Sequence, residues 1–114
     1  MTTKTKTKTK TIIVYSDPGH GWGKASRLEL VKLGILEKIS GYSYQRKEWV
    51  YLEEDCDMSL YIDTLKNCGF EVKFNNHLTN LQSRIRSFDS FEINQIDLSV
   101  IALLPSWSPI RRAI

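Results

Sequence analysis

Cysteine is scarce in this chain. Two residues, Cys56 and Cys68, are too few for a disulfide framework. On one helix, twelve residues apart, they sit about 18 Å from each other, and a bridge needs Cα atoms within about 7 Å. The expectation is a pair of reduced thiols. Long apolar runs are missing as well. The longest, Val100 to Leu104, falls far short of the roughly 18 residues that cross a bilayer. No basic start leads into an apolar stretch, so no secretory signal is expected. Glycine (six) and proline (three) are few, and no glycine-rich phosphate loop, HExxH or GxSxG string occurs.

What is present fits one ordinary globular domain. The 114 residues are 41% hydrophobic and 25% charged, near the average for folded chains. The formal net charge of +3 is unevenly spread. Lys4, Lys6, Lys8 and Lys10 stand in a stretch without acids. Without these four, 12 basic residues face 13 acidic ones. The basic character belongs to the arm and gives the folded surface no general claim on nucleic acid. Residues 1–10 alternate two polar residue types and read as a disordered basic tail. Residues 11–92 read as a single α+β domain and 93–114 as an irregular C-terminal extension.

Within the domain, Thr11 to Ser16 is β-branched and aromatic and reads as a strand. Asp17-Pro18-Gly19 reads as a tight turn. Gly21 to Lys24 reads either as a returning strand or as loop. Ser26, with Glu29 three residues on, is a capping box opening a helix to Leu33, which Gly34 stops. Tyr42–Gln45 and Trp49–Leu52 read as a hairpin. Met58 to Cys68 has the periodicity of an amphipathic helix, with Gly69 past its end. Phe70 to Phe74 alternates, with Phe70, Val72 and Phe74 inward. Asn75 to Gln82 reads as loop and Arg84 to Phe91 as a last strand. Ile96 and Leu98 to Leu104 read as buried. This order suggests a ferredoxin-like βαββαβ arrangement with an extra C-terminal strand, one sheet and two helices.

Three constellations carry chemistry. Val14 to Gly21, containing Asp17-Pro18-Gly19-His20-Gly21, resembles the opening of zinc-dependent N-acetylmuramoyl-alanine amidases. By position His20 matches a zinc ligand of that family. The resemblance implies a hydrolase with Glu29 and His77 as further ligands and Glu92 or Asp97 as the final acid. Trp22 departs from the family's second glycine. The second constellation, Glu53-Glu54-Asp55-Cys56-Asp57, reads as helix-start acids or a hard-cation site. Arg84 and Arg86, on one face of the expected strand, are its candidate counter-charges. The third is aromatic. Tyr42, Tyr44, Trp49 and Tyr51 flank the hairpin tip at Arg46 and Lys47. In a two-residue turn Tyr44 faces Tyr51. Exposed, this set forms a stacking platform for single strands or a protein-binding face. Buried, it is core.

The strings Ser16 to Trp22, Tyr42 to Arg46 and Tyr51 to Asp57 resemble small uncharacterised proteins encoded by bacteriophages and plasmids, over residues 12–92. The resemblance implies a mobile-element accessory protein in the cytoplasm of a bacterial host cell. It attaches no activity. Together these readings favour a non-enzymatic module that binds host protein or nucleic acid, with no cofactor and no membrane. Its contact residues are Asp17, His20, Trp22, Tyr42, Tyr44, Arg46, Trp49, Arg84 and Arg86. The zinc hydrolase of His20, Glu29 and His77 is the alternative.

Overall fold

The computed structural model describes residues 8–103. Strand β1 (Lys8–Ser16) turns directly into β2 (Gly21–Ser26), and α1 (Arg27–Lys32) follows. A two-residue turn at Lys47-Glu48 joins β3 (Tyr44–Arg46) to β4 (Trp49–Glu53). Helix α2 (Asp57–Asn67), strand β5 (Phe70–Leu78), the short β6 (Asp89–Ser90) and α3 (Gln95–Ala102) complete the described chain. The protein is α+β; the described residues form one open six-stranded mixed sheet ordered β5-β1-β2-β4-β3-β6 and three α-helices. The pairing of β1 with β5 is parallel, and the other four are antiparallel. This strand order differs from the ferredoxin-like one. Asp17-Pro18-Gly19 closes a hairpin between β1 and β2, so no helix separates the first two strands.

Each face of the sheet carries a buried cluster, and the alternation of side chains explains how. Ile12, Val14, Ala25, Val50 and Leu52 point to one side, against Leu30 and Val31 of α1 and Tyr61 and Leu65 of α2. Gly23 lies on that face because Met58 packs over it: a Cβ there would stand 2.5 Å from Met58 Sδ. Trp22 and Tyr51 point to the other side, where Ile85 covers them and Tyr15, Tyr44, Trp49 and Phe88 pack around. The capping expected at Ser26 forms in one half. Its hydroxyl accepts the Glu29 amide at 3.0 Å, while the Glu29 carboxylate pairs with Lys10 Nζ at 2.9 Å. Gly34 and Gly69 take positive φ, as helix stops.

Several expectations are corrected. Strand β1 begins at Lys8, because β5 supplies a backbone partner for every residue from Lys8 to Ser16. The remainder of the basic tail, residues 1–7, lies outside the described residues. Strand β5 continues through the polar stretch to Leu78, since ladder bonds need backbone and not apolar side chains. Phe70 and Val72 reach the core, but Phe74 is 48% exposed. Arg84 to Ser87 is a 3₁₀ turn rather than strand. There the Ser83 hydroxyl accepts the Ile85 amide, and Ser87 Oγ donates to the Arg84 carbonyl. Residues 95–102, in the stretch expected to be irregular, form α3. Asn94 and Asp97 build a capping box, and Asp97 takes Arg27 at 2.8 Å. Ile96, Leu98 and Leu103 are exposed there rather than buried. Pro105 and Pro109 lie outside the described residues.

Candidate functional site

The β1–β2 turn is organised by one carboxylate. Asp17 is almost wholly buried and accepts five hydrogen bonds. Its Oδ1 takes the Gly19 and His20 amides, each at 3.0 Å, and Arg86 Nη2 at 2.8 Å. Its Oδ2 takes the Ser83 amide at 2.9 Å and Arg86 Nε at 2.6 Å. The Arg86 guanidinium, helped by the amides, holds the Asp17 carboxyl far below the usual carboxylate range. Asp17 in return raises Arg86. Space in the turn is short at Gly19, where a Cβ would lie 2.7 Å from the Arg86 Nη2 that Asp17 holds, whereas one at Gly21 would meet the end of the exposed Glu54 side chain at 2.8 Å. Arg86 lies over the Trp22 ring, 5.3 Å from its centroid.

A second carboxylate fixes the neighbouring loop. Asp57 opens α2 and is buried. It accepts the Ser40 amide at 3.0 Å, Ser40 Oγ at 2.7 Å and Ser43 Oγ at 2.5 Å. Helix-start placement suits the charge. Ser43 Oγ also accepts the Glu53 amide at 2.9 Å. Tyr42, between the two serines, is left projecting and is 76% exposed. Glu53 Oε2 then accepts the amides of Asp55 at 3.0 Å and Cys56 at 3.2 Å, which turns the chain into α2.

These parts enclose an open cavity of about 370 Å³. Trp22, Tyr42 and Tyr44 form its aromatic side, with His20 and Arg86. Glu53, Asp55 and Cys56 form its acidic side. One ligand atom from each of His20, Glu53 and Asp55 lies within 4.8 Å of the other two. Desolvation and the neighbouring carboxylates of Asp57 and Glu53 push the thiol of Cys56, an exposed residue, up. It is therefore a thiol at neutral pH and a poor nucleophile.

The structure sorts the sequence candidates into two groups. Asp17, His20, Trp22, Tyr42, Tyr44 and Arg86 come together. Trp22, however, is 2% exposed and is core beneath the cavity rather than free surface. Arg46 lies over Phe88 at 5.1 Å, and Lys24 over Trp49 at 4.2 Å. Arg84 lines a separate groove with Tyr15, Tyr51 and Phe88. Arg86 does not pair with the acidic string, because Asp17 has it. The metal set of the amidase resemblance does not assemble. Glu29 is held by Lys10, and His77 on β5 sits beside Tyr15, with ring centroids 5.4 Å apart. The sequence reads Glu53 to Asp57 as helix-start acids or as a hard-cation site, and neither reading joins them to His20. The available signal was their place straight after a strand that pairs with Trp22. Comparison with family models, with curated protein sequences and with solved structures gives no match.

Proposed function

We propose that the chain is a non-enzymatic recognition module whose cavity takes a cationic side chain of a protein partner. One observation carries this reading. The three strings that resemble phage and plasmid proteins are separate in sequence, yet each contributes to the wall of the same cavity. The charge balance then selects the ligand. Arg86 is neutralised by Asp17, which leaves Glu53 and Asp55 as the cavity's net charge. Aromatic rings beside carboxylates suit a lysine or arginine head group. A nucleic-acid phosphate would instead meet two like charges. The sequence resemblance supports a host protein as that partner and a mobile-element accessory role.

Tyr42 tests the reading, because its exposed ring can be removed without disturbing the core. Tyr42→Ala and Glu53→Gln are each expected to reduce capture of a host-lysate partner about tenfold, corresponding to about 1.4 kcal/mol. Capture by the wild type should survive nuclease treatment. The urea midpoint of Tyr42→Ala should stay within about 0.5 kcal/mol of wild type. Nuclease-sensitive capture, or capture indifferent to both substitutions, overturns the proposal.

A second reading rests on His20, Glu53 and Asp55. An imidazole and two carboxylates are donors zinc accepts, and three protein ligands with one open position describe a hydrolytic site. Zinc would there supply Lewis acidity to a bound water. These donors replace the Glu29 and His77 of the sequence expectation. Equilibrium dialysis separates the readings: one zinc per chain, lost in His20→Ala, favours the hydrolase. Partner capture that persists in chelator favours the recognition module.

A further inference from the structure

Strand β5 stands at one end of the sheet. It is nine residues long and bonded to β1 along its whole length. Among the described residues nothing pairs with its outer edge. Such an edge presents a row of backbone donors and acceptors, which folded proteins ordinarily shorten, charge or cover. Here the devices are weak. The strand has no proline, and its charges are one acid, Glu71, and one base, Lys73. From Lys73 to Leu78 every residue is exposed. On the face that carries Phe70 and Val72 into the core, Phe74 and Leu78 emerge 48% and 82% exposed.

The sequence Phe70-Glu71-Val72-Lys73-Phe74-Asn75-Asn76-His77-Leu78 is complementary to its own antiparallel copy. With Phe74 on the two-fold axis, Phe70 stands opposite Leu78 and Glu71 opposite His77. Val72 then faces Asn76, and Lys73 faces Asn75. Every apolar end meets an apolar end, the acid meets an imidazole, and no like charges stand directly opposite. The two exposed Phe74 rings meet at the centre. Cross-strand pairs of these kinds are the units that stabilise a sheet, and aromatic pairs add to them. A shift of register by one residue would turn each apolar position toward the other face. We infer that β5 is a homodimerisation edge: two copies of this chain join antiparallel about Phe74, making one continuous twelve-stranded sheet from two six-stranded ones. A two-fold contact of this type closes on itself and consumes both edges, so it ends at the dimer. The inference is independent of the cavity, whose residues lie on β2, β3, β4 and the loops around them.

Sedimentation of the full-length chain over a range of concentrations tests it. A monomer–dimer equilibrium is expected in the micromolar range. Phe74→Lys places two ammonium groups face to face and should raise the dimer Kd at least about tenfold, while circular dichroism stays native. Register is tested in a Cys56→Ser, Cys68→Ser background. Phe74→Cys should cross-link between chains under mild oxidation, because directly opposed Cα atoms lie about 4.5–5.5 Å apart. Lys73→Cys should not, since its own copy lies diagonally, about 7–8 Å away. A chain that remains monomeric throughout overturns the inference. So does a dimer indifferent to Phe74→Lys, or equal cross-linking at 73 and 74. If Phe74→Lys fails to fold, the cysteine pair decides alone.

Discussion

Trp22→Ala is expected to lower the free energy of unfolding by about 3–5 kcal/mol, the range for deleting a buried tryptophan, read as a fall in urea midpoint. A domain of this size has about 5–15 kcal/mol in total, so the substitution removes a large share of the folding free energy. The reason lies in the second core. Trp22 is 2% exposed, packs edge-on to Tyr44 with centroids 6.1 Å apart, and carries the Arg86 guanidinium on its ring. It is the platform on which the 84–87 turn and the floor of the cavity rest. Its loss would open a void beneath both. Tyr42→Ala, at an exposed position lining the same cavity, should cost almost nothing. The contrast separates floor from mouth: loss of partner capture in Trp22→Ala reports unfolding, whereas the same loss in Tyr42→Ala reports contact. An unchanged midpoint in Trp22→Ala would mean that the 79–91 segment is held to the sheet by something other than this cluster.

The same residue marks how far the sequence could be read. Local signals were accurate where they depended on neighbours in the chain. Ser26 capped a helix, Gly34 and Gly69 ended helices, and the two-residue turn set Tyr44 against Tyr51. The strand order was not legible. Short apolar segments specify that a strand exists and which side is apolar, but not which strand it will pair with. The parallel β1–β5 pairing joins segments some sixty residues apart, and most of its length is polar ladder that no side-chain pattern announces. Trp22 itself, flanked by glycines, reads in the sequence as a contact residue. It is buried because Ile85 folds over the second sheet face, and Arg84-Ile85-Arg86 alternates like a strand. What prevents a strand is Asp17, which lies 69 residues from Arg86 and binds both it and the Ser83 amide. The cavity is half legible for the same reason. Its turn and its tyrosines stand apart in the sequence, and its acids read as a helix start, which they are, or as a hard-cation site, with no link to His20.

Asp17→Asn is expected to damage stability and recognition together, and pH separates the two. The amide keeps the size of the side chain but leaves one acceptor oxygen for five donors, and it leaves the Arg86 guanidinium unpaired over Trp22. Because the folded Asp17 carboxyl titrates far below its unfolded value of about 3.9, its contribution is fully present about one unit above that value and higher. It is lost progressively as pH falls below about 5. The wild-type urea midpoint should therefore decline steadily from pH 5 toward pH 2. The gap between wild type and Asp17→Asn should be constant from pH 5 to 8 and narrow below. A gap that persists unchanged at the acid end would mean that Asp17 acts by shape and not by charge. Recognition follows from the same ion pair at neutral pH. Arg86 lines the cavity, and without Asp17 its full positive charge faces Glu53 and Asp55. The carboxylates that select a cationic ligand would then be answered from within. Capture by the still-folded fraction of Asp17→Asn should fall at least about tenfold. Arg86→Gln combined with Asp17→Asn should restore part of it, because the cavity regains its negative balance even though the turn does not regain its strength.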